Sequence, residues 1–206
     1  MGRPRGYDRH DAVRAAKRLF WKRGYVGTSV GDLVEATGMP RRSLYTEFGS
    51  KDGLFTEALR LYIREEGSVY AHHLGGSHKG WSAVLGYFEA MEFASDFRGC
   101  FLVNSLAERE VLPTAAVALL DRFFAGVRRL FEETIEAARH AGELRSDTDP
   151  ATLAAALVSF DSGLAIVGKH PEIREELSHA IKTFLVTIRG RAGERDTTRH
   201  ETHPTN

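Results

Sequence analysis

One stretch of the sequence matches a catalytic signature, GTSVG at positions 27–31. Gly-x-Ser-x-Gly is the nucleophile elbow of serine hydrolases, in which a strained turn from a strand into a helix exposes the serine hydroxyl. In that role Ser29 would attack an ester carbonyl with the help of a histidine and an acidic residue. The interpretation requires a β-strand that ends just before Gly27.

The residues before Gly27 predict a helix rather than a strand. Apolar residues recur at three- and four-residue spacing between positions 8 and 23, and Gly24 stands where a left-handed cap would end a helix. Ser29 and Asp32 then have the spacing of a capping box, so Thr28 or Ser29 is expected to begin a second helix. We therefore predict that Ser29 caps a helix and that the chain is not an enzyme.

Cys100 is the only cysteine of the chain, which excludes an intrachain disulfide and fits a reducing compartment. It follows Arg98 and Gly99 near the start of a predicted helix, and both the guanidinium and the helix terminus would favour the thiolate. One interpretation is an oxidant or electrophile sensor that switches the protein through this thiol. The other, which we favour, is a small buried apolar residue.

Histidines at positions 72, 73 and 78 raise the question of a metal site. The segment around them is rich in glycine and contributes no nearby carboxylate, so we expect solvated histidines. We predict no metal ion and no other cofactor.

The 206 residues have a formal net charge of zero, but the charge is unevenly distributed. Residues 1–51 contain eleven Lys or Arg against five Asp or Glu, whereas residues 52–206 contain seventeen against twenty-three. A basic first quarter predicts that this segment meets a polyanion while the remainder has another task. We expect no membrane-spanning window and no secretion signal, and therefore a cytoplasmic protein.

A third short helix is predicted after Gly38, a residue that permits a tight turn. Pro40 suits the first position of this helix, in which Leu44 and Phe48 face inward. The side chains left for solvent or a ligand are Arg41, Arg42, Ser43 and Thr46. Two short helices joined by a glycine turn, behind a longer helix, are the layout of a helix-turn-helix.

Beyond position 50 the pattern predicts longer helices. They are expected at about 50–70, 80–95, 99–110, 114–140, 150–168 and 172–190. No segment alternates with period two, so no sheet is expected. The predicted fold class is all-α with about nine helices. An N-terminal helix-turn-helix domain (1–50) precedes a larger helical regulatory and dimerisation domain (51–191) and a polar tail (192–206) that is expected to be disordered.

Three motifs stand in a fixed order within Gly2–Leu61: GRPR, KRLFWKRGYVGTSVGDLVEATGM and RRSLYTEFGSKDGLFTEAL. Together they resemble the TetR family of bacterial transcriptional regulators. The resemblance covers about the first third of the chain. It implies a homodimer that binds a double-stranded DNA operator of palindromic sequence and usually represses until a small-molecule effector enters the C-terminal domain.

The resemblance also implies roles for individual residues in DNA binding. It places Tyr45 and Lys51 on phosphates, with Thr28 and Ser29 also against the DNA backbone. The residues that it places at base edges are Arg41, Arg42, Ser43 and Thr46. Adjacent arginines favour guanine, because one guanidinium can bond to both O6 and N7.

Two further features of this region leave alternatives open. Glu47 departs from the family pattern, in which histidine is common, and is expected either to point away from DNA or to accept from cytosine. The N-terminal arm with Arg3 and Arg5 either enters a minor groove or is a solvated tail.

The two last long helices, near 150–168 and 172–190, are the predicted dimer interface. The stretch LAAALVSFDSGLAIVG is small and apolar nearly all round, as expected of a helix in a four-helix bundle formed with a second subunit. The alternative is ordinary core within one subunit.

A ligand chamber is predicted among the middle helices, because ligand pockets are mainly apolar with a few placed polar groups. The residues assigned to it are Tyr62, Trp81, Phe88, Met91, Phe97, Cys100, Phe101, Asn104 and Phe124. Asn104 is the polar group expected first. Asp161, a carboxylate inside an apolar helix, is assigned to the dimer interface or to a helix contact in preference to the ligand.

Overall fold

A computed structural model describes residues 7–76 and 79–190 of the chain. Within these ranges all regular structure is helical, so the all-α prediction is confirmed. The N-terminal head consists of α1 (Arg9–Arg23), α2 (Val30–Thr37) and α3 (Arg41–Phe48). The remaining helices are α4 (Lys51–Glu66), α5 (Ser68–Leu74), α6 (Trp81–Glu89), α7 (Phe101–Leu106), α8 (Thr114–His140), α9 (Pro150–Val167) and α10 (Pro171–Gly190). The predicted arm residues Arg3 and Arg5 and the predicted tail 192–206 lie outside the described residues.

The head forms from the local signals that the sequence contains. The Asp8 carboxylate accepts a hydrogen bond from the backbone N–H of Asp11 at the start of α1. Ser29 caps α2 in a reciprocal capping box with Asp32, as predicted. Gly38 has a φ of 65°, the left-handed conformation that lets the chain turn from α2 into α3. Because a helix and a turn precede Ser29, the strand that an esterase would need is not there.

The helix expected over 50–70 is divided at Gly67 into α4 and α5. The ring of Phe123 approaches this glycine so closely that an added Cβ would lie 3.2 Å from its edge. Glycine is also the least helix-stabilising residue after proline, so a break at this position costs little. The described ranges therefore hold ten α-helices, one more than the sequence predicted.

The helices expected at 80–95 and 99–110 are shorter than predicted. α6 ends at Glu89 and α7 begins only at Phe101, which leaves residues 90–100 as an irregular segment. Arg174 of α10 holds this 90–100 segment by donating to the carbonyl of Ala94 at 2.7 Å, and within the segment the rings of Phe93 and Phe97 meet edge-to-face at 5.1 Å. Tertiary packing overrides the helical periodicity at this point.

The head and the rest of the chain share one hydrophobic core. Phe55 of α4 packs edge-to-face on Phe20 of α1, with 5.0 Å between ring centroids, and on Phe101 of α7, with 5.8 Å. The fully buried Leu102 of α7 belongs to the same cluster. A second cluster lies between α6, α8, α9 and α10. A movement of α4 relative to α7 would therefore be transmitted to the head through this shared core.

α9 is long and apolar enough, by length and composition, to cross a membrane, which corrects the expectation that no such window exists. In this fold Leu157 and Leu164 of α9 pack in the second core cluster. Asp161 is buried at the middle of the same helix. A charged group at the centre of a membrane helix is costly, so α9 is better explained as a bundle helix with one buried side.

The capping role of Ser29 predicts a measurable effect on stability. Ser29→Ala removes the side-chain bond to the backbone N–H of Asp32 and should lower the free energy of unfolding by about 1 kcal/mol. Urea unfolding at a fixed protein concentration measures the change. Ser82→Ala is the matched control, because Ser82 is exposed and α6 has no side-chain cap. Equal stability of the two variants would contradict the capping role.

Candidate nucleic-acid interface and ligand cavity

α3 has one buried side and one exposed side. Leu44 and Phe48 face the core, as predicted, and Arg41, Arg42 and Tyr45 are exposed on the opposite side. The guanidinium carbon of Arg41 lies 6.0 Å from the centroid of the Tyr45 ring, so these two side chains share one patch. This patch, with the exposed Thr46, is the candidate base-reading surface.

The neighbouring polar residues of α3 are engaged within the protein. The Thr46 hydroxyl donates to the carbonyl of Arg42 at 2.9 Å and keeps its acceptor capacity. Glu47 turns toward α1, where it accepts from the Tyr7 hydroxyl at 3.3 Å and lies 3.8 Å from Arg9. Of the two alternatives for Glu47, the structure has the one that points away from the exposed face. Ser43 is half-buried.

At the start of α2 only one of the two predicted phosphate contacts is accessible. Ser29 is exposed, and its hydroxyl bonds with Asp32 at 2.6 Å. The hydrogen bonds from Ser29 and the guanidinium of Arg23 hold the pKa of Asp32 below its usual range. Thr28 is fully buried and donates to the carbonyl of Gly24 at 2.7 Å. We therefore remove Thr28 from the candidate phosphate contacts, because its hydroxyl faces the interior.

Lys51 is held in place at the first turn of α4. Its ammonium lies 4.1 Å from the centroid of the Tyr25 ring, within the range of a cation–π contact. The Tyr25 hydroxyl in turn donates to the Asp52 carboxylate at 2.6 Å. Burial and the nearby Asp52 raise the pKa of Tyr25 to about 12, so the donor stays protonated. Lys51 thus stands beside the turn between α1 and α2, at the end of α4 that follows α3.

A cavity of about 280 Å³ lies between α4, α5, α6, α8, α9 and the 90–100 segment. Four residues assigned to the ligand chamber line it: Tyr62, Met91, Phe97 and Cys100. Met91 and Phe97 belong to the irregular 90–100 segment, which forms one side of the cavity.

The other residues assigned to the chamber lie elsewhere. Trp81 and Phe88 are fully buried in the second core cluster, and Phe101 and Phe124 belong to the first. Asn104 points away from the cavity: its amide donates to the carbonyl of Arg98 at 3.0 Å, and its oxygen accepts from Lys169. α7 begins at Phe101, two residues later than expected, and is only six residues long.

The polar centre of the cavity consists of Asp161, Tyr70 and Tyr87. Each tyrosine hydroxyl donates to a different carboxylate oxygen of Asp161, both at 2.8 Å. Burial raises the pKa of Asp161, while the two hydrogen bonds act in the opposite direction. Asp161 therefore makes the contact between helices that the sequence predicted, and it also lines the cavity. The sequence shows Asp161 as a carboxylate within an apolar helix, which marks it as a candidate. It does not show that Tyr70 and Tyr87 bond to it, because they lie on other helices at no fixed spacing from it.

The environment of Cys100 differs from the one expected. Burial raises the pKa of the thiol, although the Tyr62 hydroxyl and backbone N–H groups at the start of α7 act against this effect. Arg98 is exposed and is not among the groups that shift this pKa. The geometry favours a protonated thiol in the cavity wall over an activated thiolate.

Two hydrogen-bonded contacts join the bundle to the head, and the first of them starts from the cavity wall. The indole N–H of Trp21 in α1 donates to the carbonyl of Gly99 at 3.1 Å. The carboxylate of Glu108 accepts from the backbone N–H groups of Tyr25, at 2.6 Å, and Val26, at 3.3 Å. Gly99 has a φ of 75°, and an added Cβ would collide with the carbonyl of Ala165 in α9. The end of α1 is therefore fixed to the same wall that encloses the cavity.

No group of three or more His, Cys, Asp or Glu residues that could hold a metal ion is found in residues 7–76 and 79–190. His78 lies outside the described residues.

A three-helix head with an exposed arginine-bearing helix, joined by one helix to a cavity-containing bundle, defines a helix-turn-helix regulator. Residues 12–58 match the family described as bacterial regulatory proteins, tetR family, and residues 82–184 match the tetracyclin repressor-like C-terminal domain. The chain belongs to the TetR family. It is a DNA-binding transcriptional regulator and not an enzyme.

Characterised relatives resemble the chain over most of its length. The HTH-type transcriptional repressor ComR of Escherichia coli (strain K12) is 32% identical over 189 residues, which cover 89% of this chain and 90% of ComR. The repressor DhaR of Mycobacterium sp. (strain GP1) is 26% identical, covering 87% of this chain and 89% of DhaR. Among solved structures, a cysteine mutant of the TetR family regulator CifR, complexed with 26-base-pair double-strand operator DNA, is 32% identical. It superposes with a TM-score of 0.73 over 89% of this chain and 98% of that chain.

The positions of the α3 arginines and of Lys51 predict different effects on DNA binding. Arg41→Ala or Arg42→Ala should cost about 1–3 kcal/mol of discrimination at one base pair, because a base-edge contact is lost. Lys51→Ala should weaken binding to all sequences and reduce the slope of log affinity against log salt by about 1. Binding titrations at several salt concentrations, on selected and scrambled duplexes, measure both effects.

Arg128→Ala is the control for charge in that experiment, because Arg128 is exposed on α8, outside the head. It should leave base preference unchanged. If Arg41→Ala and Lys51→Ala behave identically, the division into base-reading and phosphate-binding residues is wrong.

The raised pKa of Cys100 predicts a slow thiol. A group whose pKa is raised has less thiolate at neutral pH, so alkylation by iodoacetamide should be slower than that of free cysteine. The rate should still rise steeply between about pH 7 and about pH 9, without a plateau. Mass spectrometry of the intact protein follows the reaction. A plateau near neutral pH would support the sensor interpretation instead.

Proposed function

We propose that this regulator is a dimeric repressor, released from its operator when a small molecule occupies the cavity beside Asp161. The observation that carries the proposal is the course of α4. Its first residue, Lys51, lies next to the DNA-facing head, and Tyr62 and Glu66 near its other end line the cavity. α4 spans about 24 Å at the rise of an α-helix, so one rigid element touches both sites.

Two further contacts support a coupling between the cavity and the head. Gly99 and Cys100 line the cavity, and the Gly99 carbonyl accepts the Trp21 hydrogen bond. A ligand that displaces the 90–100 segment or the end of α4 acts on α1 through this bond and through the shared aromatic core. A ligand shifts the equilibrium between two conformations only by the difference in its affinity for them. Release therefore requires a cavity that changes shape between the DNA-bound and free forms.

The surface of α9 and α10 supports a dimer. On α9 the exposed residues Ala155, Ala156, Ser159 and Gly163 form a stripe of small side chains. Ile166, near the end of this stripe, and Val186 on α10 are 44% and 65% exposed, unusual values for large apolar residues. Small residues allow close approach of helices, so two copies of α9 and α10 can form a four-helix bundle.

A dimer also explains how a short α3 reads a specific site. One recognition helix contacts a half-site, and a two-fold axis repeats that contact about one DNA turn, or a multiple of it, away. The repressor ComR and the operator-bound CifR structure support this role for the present chain. A cytoplasmic location follows from the role, since a bacterial regulator meets its operator DNA in the cytoplasm.

Selection from random duplexes tests the proposal. The wild type should enrich an inverted repeat, and Val186→Glu, which places a charge in the proposed interface, should give a monomer. Apparent operator affinity should then fall at least about a hundredfold, because the two half-site contacts are no longer linked. Analytical ultracentrifugation measures the mass of each variant.

Val111→Glu is the matched control, because Val111 is also exposed, at 56%, but lies in the turn before α8. It should remain dimeric and keep the wild-type affinity. A dimeric Val186→Glu protein with unchanged operator binding would show that α10 is not the interface.

A further inference from the structure

The charge of the cavity wall is one-sided. Three carboxylate side chains line the cavity, those of Glu66, Glu92 and Asp161, and no Lys, Arg or His is among the lining residues that the structure describes. Most of the remaining wall is apolar, and much of it is aromatic. A negatively charged ligand would meet only repulsion in this cavity.

Asp161 is the buried member of this set, with 4% of its surface exposed. Both of its hydrogen-bond partners, Tyr70 and Tyr87, are neutral hydroxyl groups whose own pKa values are raised by burial. They stabilise the carboxylate but leave its charge without a counter-ion, and no ion pair to Asp161 is found in the described part of the chain. A carboxylate buried without a counter-ion favours its neutral form, which is why burial raises the pKa of Asp161, and a cation that binds beside it would stabilise the ionised form.

The aromatic rings around Asp161 suit the same kind of ligand. The Tyr70 and Tyr87 rings are stacked with centroids 5.0 Å apart, and Phe123 meets Tyr70 edge-on at 5.7 Å. Aromatic faces attract ammonium groups, and the attraction is strongest where water is excluded. The same rings provide apolar surface for a hydrocarbon body. At about 280 Å³ the cavity lies near the lower end of the size range of small-molecule pockets.

We propose that the effector is a small organic cation, with its ammonium group beside Asp161 and its apolar body between Tyr62, Tyr70 and Phe123. This inference rests on the proposed function, since it names the ligand class of the same cavity. Glu66 and Glu92, both exposed, stand where the cavity meets solvent and attract the cation on entry.

Calorimetric titration of the full chain with defined probes tests this inference. Benzyltrimethylammonium and benzylammonium are the cations. Benzyl alcohol is the neutral comparison, and phenylacetate is the anionic one. At least one cation should bind more tightly than the neutral and anionic probes, and Asp161→Asn should weaken that binding by roughly tenfold or more. Asn removes the charge, keeps an acceptor for one tyrosine hydroxyl and presents an N–H donor to the other.

Asp96→Asn is the matched control, because Asp96 is exposed in the 90–100 segment and does not line the cavity. It should bind the cations as the wild type does. If Asp161→Asn fails to fold, the comparison of charged and neutral probes on the wild type still decides the question. Equal binding of cation and neutral probe overturns the inference, as does the lack of any cation binding up to roughly 1 mM.

Operator binding measured on the same preparations separates this inference from the proposed function. Cation binding that depends on Asp161 and weakens operator affinity supports both. Cation binding that depends on Asp161 but leaves operator affinity unchanged supports the ligand class and contradicts the proposed release. Operator release by the neutral probe, without an effect of Asp161→Asn, overturns the ligand class and supports release.

Discussion

The packing of Phe55 between Phe20 and Phe101 is the constraint on which the rest of the structure depends. Each edge-to-face pair adds about 0.5–1.5 kcal/mol beyond the apolar area that it buries. More important here is where the three rings come from: α1, α4 and α7. The small head completes its core with residues of the larger bundle. It therefore cannot keep its orientation if α4 and α7 separate, and this dependence makes the head responsive to events in the bundle.

The head could be predicted from sequence because its signals are local. The capping box of Ser29, the turn at Gly38 and the inward pair Leu44 and Phe48 each lie within a few residues of the structure that they determine. Thr28 was assigned to a DNA phosphate, but its hydroxyl bonds inward to the carbonyl of Gly24. A hydroxyl beside a helix cap can bond in either direction, and only its burial in the structure distinguishes the two cases. Whether the remaining α3 residues contact DNA as assigned stays a prediction.

The cavity was only partly predictable, for a physical reason. Its polar centre joins Tyr70, Tyr87 and Asp161, which come from three helices at no fixed spacing, so periodicity does not reveal that they meet. Asp161 alone was visible as a carboxylate in an apolar helix. Well-packed apolar residues at this position would cost less than a buried charge, and such local departures from stability are expected where a site has a function. The 90–100 segment was missed because its contacts come from far along the chain: Arg174 donates to the carbonyl of Ala94, and Gly168 leaves room for the rings of Phe93 and Phe97.

The hydrogen bonds between the bundle and the head share one property: one of the two partners in each bond is a main-chain atom. Trp21 bonds to the carbonyl of Gly99, and Glu108 bonds to the amide groups of Tyr25 and Val26. Main-chain atoms remain when side chains are exchanged, so cavity-lining residues other than Gly99 can change without loss of these links. The architecture thus lends itself to engineered biosensors, in which a redesigned chamber would control an unaltered DNA-reading unit.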